Sequence, residues 1–457
     1  MSTHDHPAPG PFSESRRRFL ATTAGAAAVS AFAASVGSAA PARGGIAPKP
    51  VDPAPKAKSR PPLKEGQAIR VGVIGIGGPG GCAMGLGHAQ ALVSLAKKNR
   101  DNVEVVALCD LNDLFLENGR SQVEKAQPGV KVDTYRRSAD LLAREDIHGV
   151  VIATPEHWHS LNGVEAILAG KDVYLEKPMC LNLPDSIMLE RVASANPDTI
   201  VQIGTQMTQL PKYHEARKMV QSGLIGVPTF SQTSYCRNSR TGEWHYTINP
   251  AWKPGENLDW ETWCAPLGQT LPWDPKLYYQ WRRYRRTSTG IIGDLLVHVL
   301  TPMILAIDQG WPVRVLATGA HHADKAMENH DNVHIAVQFE TGHQMLVAGS
   351  TCNEAGLEVM IRGHKGNIYL GGRHCEMRPE RTYSEELDSK KVECPDIGND
   401  QDVHRLAWLK SIRTREKPFS SVDLHMKVMV IVDLATRSMW EGAAFRFDPS
   451  TMTASKV

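Results

Sequence analysis

One short stretch restricts this chain more than any other. The apolar run Ile69-Arg70-Val71-Gly72-Val73-Ile74 leads straight into Gly75-Ile76-Gly77-Gly78-Pro79-Gly80-Gly81. Gly75, Gly77 and Gly80 satisfy G-x-G-x-x-G directly after a strand candidate. In such a loop the first glycine permits a tight turn. The second lets backbone approach a pyrophosphate, and the third lets helix and strand pack closely. The helix that follows offers N–H donors and a partial positive charge to the phosphates. Asp110 closes the second strand candidate, where a carboxylate would accept the adenosine ribose hydroxyls and repel a 2′-phosphate, favouring NAD over NADP. It lies 30 residues beyond Gly80, longer than the usual interval of about 20. Loops at 84–88 and 97–102 are expected to absorb the excess.

The pattern around this loop alternates. Strand candidates at 69–74, 104–109, 149–153, 172–175 and 200–203 are separated by helix candidates such as 88–98, 114–125 and 161–169. Such alternation implies parallel βαβ units. From about residue 227 strands follow one another at 229–236, 313–319, 333–339, 344–349, 358–362 and 367–370. Glu340-Thr341-Gly342-His343 forms a hairpin signal. Helical stretches follow at 402–414 and 424–441. The expected fold class is α/β: an N-terminal Rossmann, doubly wound parallel sheet over 68–209, then a C-terminal α+β domain over 210–457. The second domain should carry a large, mostly antiparallel open sheet. A chain of 457 residues exceeds one ordinary core, in keeping with two domains.

The N-terminus reads as an address. Ser15-Arg16-Arg17-Arg18-Phe19-Leu20 precedes an Ala-rich, weakly apolar run to Val36 and small residues at 37–39. This matches a twin-arginine export signal over 1–42, with a Pro/Ala-rich linker over 43–67. A mature protein outside the cytoplasm is expected, delivered by the Tat export machinery, without a membrane span. That route carries proteins already folded, often with a cofactor loaded. Outside the first 43 residues basic and acidic groups balance at 47 each, which argues against a nucleic-acid partner. The eight cysteines include no C-x-x-C pair, so no zinc or redox motif is expected.

Further motifs carry a resemblance. Ala153-Thr154-Pro155-Glu156-His157-Trp158-His159, Glu176-Lys177-Pro178 after its strand, and Gln202-Ile203-Gly204-Thr205-Gln206 join the glycine loop. Together they resemble the Gfo/Idh/MocA oxidoreductases over roughly residues 68–445. Leu258-Asp259-Trp260-Glu261-Thr262-Trp263 and Arg446-Phe447-Asp448 lie within the similarity. The resemblance implies NAD(P) binding, with Lys177 near both nicotinamide and substrate hydroxyl. It also implies cofactor contacts from Thr154, Pro155, His157, His159, Glu176, Lys177 and Gln206 beside Gly75, Gly77, Gly80 and Asp110. The family's D-x-x-x-H element would be Asp294-Leu295-Leu296-Val297-His298. On an α-helix positions i and i+4 share a face. His298, with an ordinary pKa near 6.5, would accept a sugar hydroxyl proton. Asp294 would position the substrate or bias His298, and Lys177 would stabilise developing negative charge. Leu296 stands where relatives often carry glycine, and Pro302 should kink the helix. The resemblance further implies a homo-oligomer, dimer or tetramer.

Other candidates have ordinary readings beside functional ones. His157 and His159 could ligate a metal, but a place beside the cofactor suits the resemblance better; no metal site is expected. His321-His322 reads as surface. Arg282-Arg283-Tyr284-Arg285-Arg286 is either a clamp for an acidic or phosphorylated substrate or a solvated or subunit-contact segment. Glu243-Trp244-His245-Tyr246 and Trp252 either wall a carbohydrate pocket or pack in the core. The expected activity is hydride transfer between a sugar, cyclitol or glycoside ring carbon and a tightly held nicotinamide. The alternatives are a redox-neutral glycoside hydrolase or lyase working through a transient keto-sugar, and a non-catalytic dinucleotide-binding protein.

Overall fold

A computed structural model describes residues 55–59, 62–78 and 82–457. The segment read as an export signal, most of the segment read as a linker, and Gly80 lie outside the described residues. The described part of the linker lies against the first domain: Lys58 N–H donates to Leu168 O at 3.0 Å, and Ala57 N–H to Asn196 Oδ1 at 2.7 Å.

The first sheet is wholly parallel. Its strands are β1 (Ile69–Ile74), β2 (Val103–Cys109), β3 (Asp133–Tyr135), β4 (Gly149–Ile152), β5 (Asp172–Leu175) and β6 (Val201–Ile203). Their order is β3-β2-β1-β4-β5-β6. The order reverses beside β1, so a crevice opens where the carboxyl ends of β1 and β4 diverge. Helices α1 (Met84–Lys97), α2 (Asp113–Ala126), α3 (Ser138–Leu142), α4 (His159–Leu168), α5 (Leu183–Ala195) and α6 (Pro211–Gln221) connect or follow these strands. The residues of β1, β2, β4 and β5 are almost all buried, as a sheet covered on both faces requires. Strand β3 escapes a sequence reading because its three residues, Asp-Thr-Tyr, carry no apolar run. Helix α1 starts at Met84, so the loop expected at 84–88 is its first turn.

The second sheet has ten strands. They are β7 (Pro228–Cys236), β8 (Pro312–Ala320), β9 (Asn332–Phe339), β10 (Gln344–Ser350), β11 (Met360–Gly363), β12 (Gly366–Tyr369), β13 (His374–Pro379), β14 (Lys390–Glu393), β15 (Phe445–Asp448) and β16 (Thr453–Lys456). Their order is β14-β13-β12-β11-β7-β10-β9-β8-β15-β16. Only the β7–β10 pair is parallel. Helices α7 (Trp260–Cys264) and α8 (Pro275–Tyr279) are single turns. Helix α9 (Val297–Ile307) runs on through Pro302, and α10 (Asp400–Thr414) and α11 (Val422–Glu441) follow the sheet. Burial alternates along β8, β9 and β10 because α9 and α11 cover one face. The other face leaves Leu316 and Leu346 exposed. No helix among the described residues is long and apolar enough to cross a membrane.

The segment between β7 and α9 folds back over the first domain. Trp252, Trp260, Trp263, Tyr278, Tyr279 and Trp281 are buried there in one cluster with Phe115, Val71 and Val73. Trp252 lies 4.5 Å from Tyr279 and 5.7 Å from Phe115, ring centre to ring centre. The aromatic residues that a sequence reading could place around a sugar, Trp244 and Trp252, are therefore core residues.

Candidate active site

The crevice beyond β1 encloses about 380 Å³. Gly75, Gly77, Asp110, Thr154 and Pro155 all line it, together with Ser138, Asn162 and Glu165. Trp263, Tyr279 and Trp281 close it from the second domain. Gly77 adopts φ +66°, and a Cβ there would stand 1.8 Å from the Cys82 carbonyl oxygen. Its N–H donates to Asp110 Oδ2 at 3.0 Å, while Asn112 N–H donates to Asp110 Oδ1 at 3.0 Å. Burial pushes the Asp110 carboxyl up to about 6 against these hydrogen bonds. The close contact expected at Gly80 lies outside the described residues, but the first turn of α1 packs closely on the glycine loop at Gly85. A Cβ at Gly85 would lie 2.3 Å from Gly75 O. Among the described residues no side chain caps α1, which suits the start of that helix to an anionic ligand. Tyr279 donates its hydroxyl to Gly78 O at 2.7 Å and so ties the aromatic cover to the glycine loop. A narrow glycine turn, an uncapped helix start and an acid at the end of β2 fit a dinucleotide.

Lys177, Asp294 and His298 do not line this crevice; they form a charged cluster beside it. Lys177 Nζ donates to Asp294 Oδ1 at 2.8 Å and to Asp294 O at 2.9 Å. Arg282 Nε donates to the same Oδ1 at 2.8 Å. Burial would raise the Asp294 carboxyl, but the two cations hold it well below the usual carboxylate range. Arg282 also reaches Cys82 Sγ at 3.1 Å, so it joins the cluster to the crevice wall. His298 is half-buried, and its buried Nδ1 has no hydrogen-bond partner among the described residues. Burial, helped by the Lys177 charge, drops its imidazole to about 3. The ring is thus neutral at ordinary pH, and its environment does not keep the ordinary histidine range expected from sequence.

The backbone here differs from the expected regular helix. Residues Ile292–Leu296 form a π-helical turn, and α-helix begins at Val297. The turn carries Asp294 and the following helix carries His298, so simple α-helical i, i+4 geometry does not relate them. Leu296, at the position read as a departure, is fully buried and faces Gly349.

Three further residues expected beside the cofactor serve the scaffold. Each ring nitrogen of His159 meets a main-chain carbonyl, Nδ1 at Pro178 O (2.6 Å) and Nε2 at Thr154 O (2.8 Å). The ring braces two loops and has no nitrogen left for a ligand. His157 packs edge-on to Trp263, with Nε2 3.1 Å from Trp263 O. Glu176 faces His88, whose Nε2 lies 2.8 Å from Oε1, while Arg405 Nε donates to His88 Nδ1 at 3.0 Å. Burial alone would raise Glu176, yet the His88 hydrogen bond leaves it at about 2. These residues sit next to the reactive loops because they hold the loops' shape. Gln206 opens a short turn after β6 and does not line the crevice.

The basic run is taken apart by the fold. Arg282 pairs with Asp294, Arg283 forms a buried pair with Asp324, and Arg285 stacks 3.8 Å from the Trp440 ring centre. His321 meets Asn329 O at 3.0 Å. Among the described residues no group of three or more His, Cys, Asp or Glu is placed to hold a metal. Sequence reasoning missed His88, Cys82 and Tyr279 as parts of the site. None carries a motif, and each reaches its partner only through the fold.

Comparison with known proteins agrees with this geometry. Residues 69–205 match the family described as oxidoreductase family, NAD-binding Rossmann fold. Residues 268–446 match the C-terminal alpha/beta domain of the same family. A 2,7-anhydro-N-acetylneuraminate hydratase of Mediterraneibacter gnavus is 24% identical over 296 residues, covering 64% of this chain and 67% of that protein. Inositol 2-dehydrogenase 1 of Saccharopolyspora erythraea is 28% identical over 172 residues, 38% of this chain and 47% of the relative. The match thus spans about half the length of that dehydrogenase. A levoglucosan dehydrogenase solved with NADH and L-sorbose shares the fold at TM-score 0.61 and 16% identity, over 86% of this chain and 99% of that one. Both halves of the described chain are matched, and the chain belongs to the Gfo/Idh/MocA oxidoreductase family.

Proposed function

We propose that this protein is an exported oxidoreductase that moves hydride between a ring carbon of a sugar, cyclitol or glycoside and a tightly held nicotinamide cofactor. The observation that carries this reading is the Lys177–Asp294 pair beside the glycine-loop crevice, with the neutral imidazole of His298 nearby. NAD supplies the hydride acceptor or donor. Gly75, Gly77 and the start of α1 would hold its phosphates, and Asp110 its adenosine ribose.

The chain's own groups divide the remaining work. An ammonium has three N–H donors, and Asp294 takes two of those of Lys177. The third is left for a substrate oxygen, where it would stabilise negative charge as hydride leaves the same carbon. His298 would accept the hydroxyl proton at Nε2 or Nδ1. A base near 3 is weak, so Lys177 has to make the substrate hydroxyl more acidic for the transfer to proceed. Asp294, held by two cations, orients Lys177 rather than exchanging protons. The aromatic cover supports retention of the dinucleotide through export and turnover. The exposed face of the second sheet supports a homo-oligomer.

A second reading has a specific observation behind it. The M. gnavus relative is a hydratase. In a redox-neutral cycle, transient oxidation of the ring acidifies the neighbouring C–H. Elimination or hydration follows, and the hydride then returns. Protein purified after export should carry a dinucleotide identifiable by absorbance and mass. Sugars and cyclitols, levoglucosan and myo-inositol among them, are then added while the reduced-nicotinamide band is followed. A band that rises and persists supports net dehydrogenation. A changed sugar with unchanged cofactor supports the redox-neutral cycle. No change in either, with oxidised cofactor present, refutes both.

A further inference from the structure

Glu156 is a buried acid that the chemistry above does not use. It is 1% exposed, and among the described residues no ion pair reaches it. Its carboxylate instead takes both donors of one residue in the other domain. Thr289 N–H lies 3.1 Å from Oε1 and 3.2 Å from Oε2, and Thr289 Oγ1 donates to Oε1 at 2.6 Å. The groups facing it are the Ser288 and Thr289 hydroxyls, the negative Asp294 on the π turn and the Cys180 thiol of the Lys-Pro loop. Burial pushes its carboxyl up to about 7. A buried acid without a cation is costly, so a purely packing role would suit a neutral side chain better.

Its neighbours show what the acid holds. Glu156 follows Thr154 and Pro155, which wall the dinucleotide crevice. Thr289 precedes the π turn that carries Asp294. At Gly293, inside that turn, a Cβ would lie 1.9 Å from Thr289 Oγ1, 3.1 Å from Glu156 Oε1 and 3.2 Å from Pro178 Cγ. Crevice wall, π turn and Lys-Pro loop therefore converge on one carboxylate with no room to spare.

We propose that Glu156 is a positioning residue: by holding both donors of Thr289 it seats the turn 290–296 against the Lys177-Pro178 loop and so sets the Lys177–Asp294 pair from the wall of the dinucleotide crevice. The proposal rests on the reading that Lys177 and Asp294 act together. It predicts a reactivity that can be measured without a sugar. Lys177 is acetylated with trace acetic anhydride in the full chain carrying its dinucleotide. Peptide mass spectrometry then gives its labelling relative to the exposed Lys98.

Glu156→Leu, which removes the acceptor, and Thr289→Val should each raise relative Lys177 labelling roughly threefold or more, as expected when a buried hydrogen bond to the amine weakens. The double variant should add little, because both changes break one link. Thr289→Ser keeps the hydroxyl and should label like the unaltered protein. If Glu156→Leu fails to fold by near-ultraviolet circular dichroism, the contrast between Val and Ser at residue 289 decides. Unchanged labelling in the folded variants, or equal behaviour of Val and Ser, overturns the proposal. With a sugar that is turned over, Glu156→Leu should lower kcat about tenfold and leave dinucleotide content unchanged. Failure of every sugar would count against the hydride reading alone, since the labelling ratio judges Glu156 independently.

Discussion

Replacing Glu156 by glutamine should make the protein's stability respond to pH in a way that isolates one buried carboxyl. The group moves from an ordinary 4.5 to about 7 because burial penalises its charged form more than the Thr289 hydrogen bonds favour it. Between these two values the folded state holds a proton that the unfolded state has released. The contribution of Glu156 is therefore fully present below about pH 4.5. It is lost as pH rises through 7, which is the opposite of a salt-bridged acid. A shift of about 2.5 units corresponds to about 3 kcal/mol. Glutamine does not titrate, so its own hydrogen-bond cost is the same at every pH. The stability of Glu156→Gln relative to the unaltered protein should thus improve by about 2.5 kcal/mol between pH 5 and pH 8. For a chain of this size that is a relative shift in melting temperature of about 3 °C. Thermal scans of both proteins at the two pH values, with bound dinucleotide matched, give the number. A difference that stays flat across that range would show that Glu156 is ionised at no cost, and would refute the burial argument.

Other outcomes follow from the same geometry. Lys177→Met removes the ammonium that holds the substrate oxygen; kcat should fall by about 10²–10³-fold while the dinucleotide stays bound, as read by reduced-nicotinamide absorbance and mass. Asp294→Asn leaves Lys177 and Arg282, both only 12% exposed, without their shared counter-ion. Chemical denaturation should show a loss of about 3–5 kcal/mol, and a loss under 1 kcal/mol would mean the pair is not buried in solution. Gly77→Ala places a methyl where the Cys82 carbonyl stands and strains a positive φ. The loop should open at a cost of about 1–3 kcal/mol, weakening NAD binding about tenfold or more by calorimetry.

Much of the fold follows from local pattern. Strand β5 and the hairpin between β9 and β10 lie where sequence places them, because apolar alternation and a Gly-containing turn are local signals. Short polar strands such as β3 and the lysine-rich β14 are invisible that way. Their place in a sheet comes from neighbours distant in the chain. The π turn at 292–296 is equally hidden, since Ile-Gly-Asp-Leu-Leu reads as plain helix until it packs on β10.

By itself the sequence determined that a parallel α/β unit would present a glycine turn with an acid at the end of its second strand, since a missing side chain and a strand's end are properties of neighbouring residues. The family resemblance that its motifs carry pointed to Lys177, Asp294 and His298, though 117 residues separate the first two. Tertiary structure alone decided the rest. It turned His159 and Glu176 into braces, spread the arginine run over separate partners and lowered His298 to about 3. It also buried Glu156 with no ion pair among the described residues. Those outcomes depend on how much water remains around a group and which charges surround it, and both are set by contacts between residues far apart in the chain.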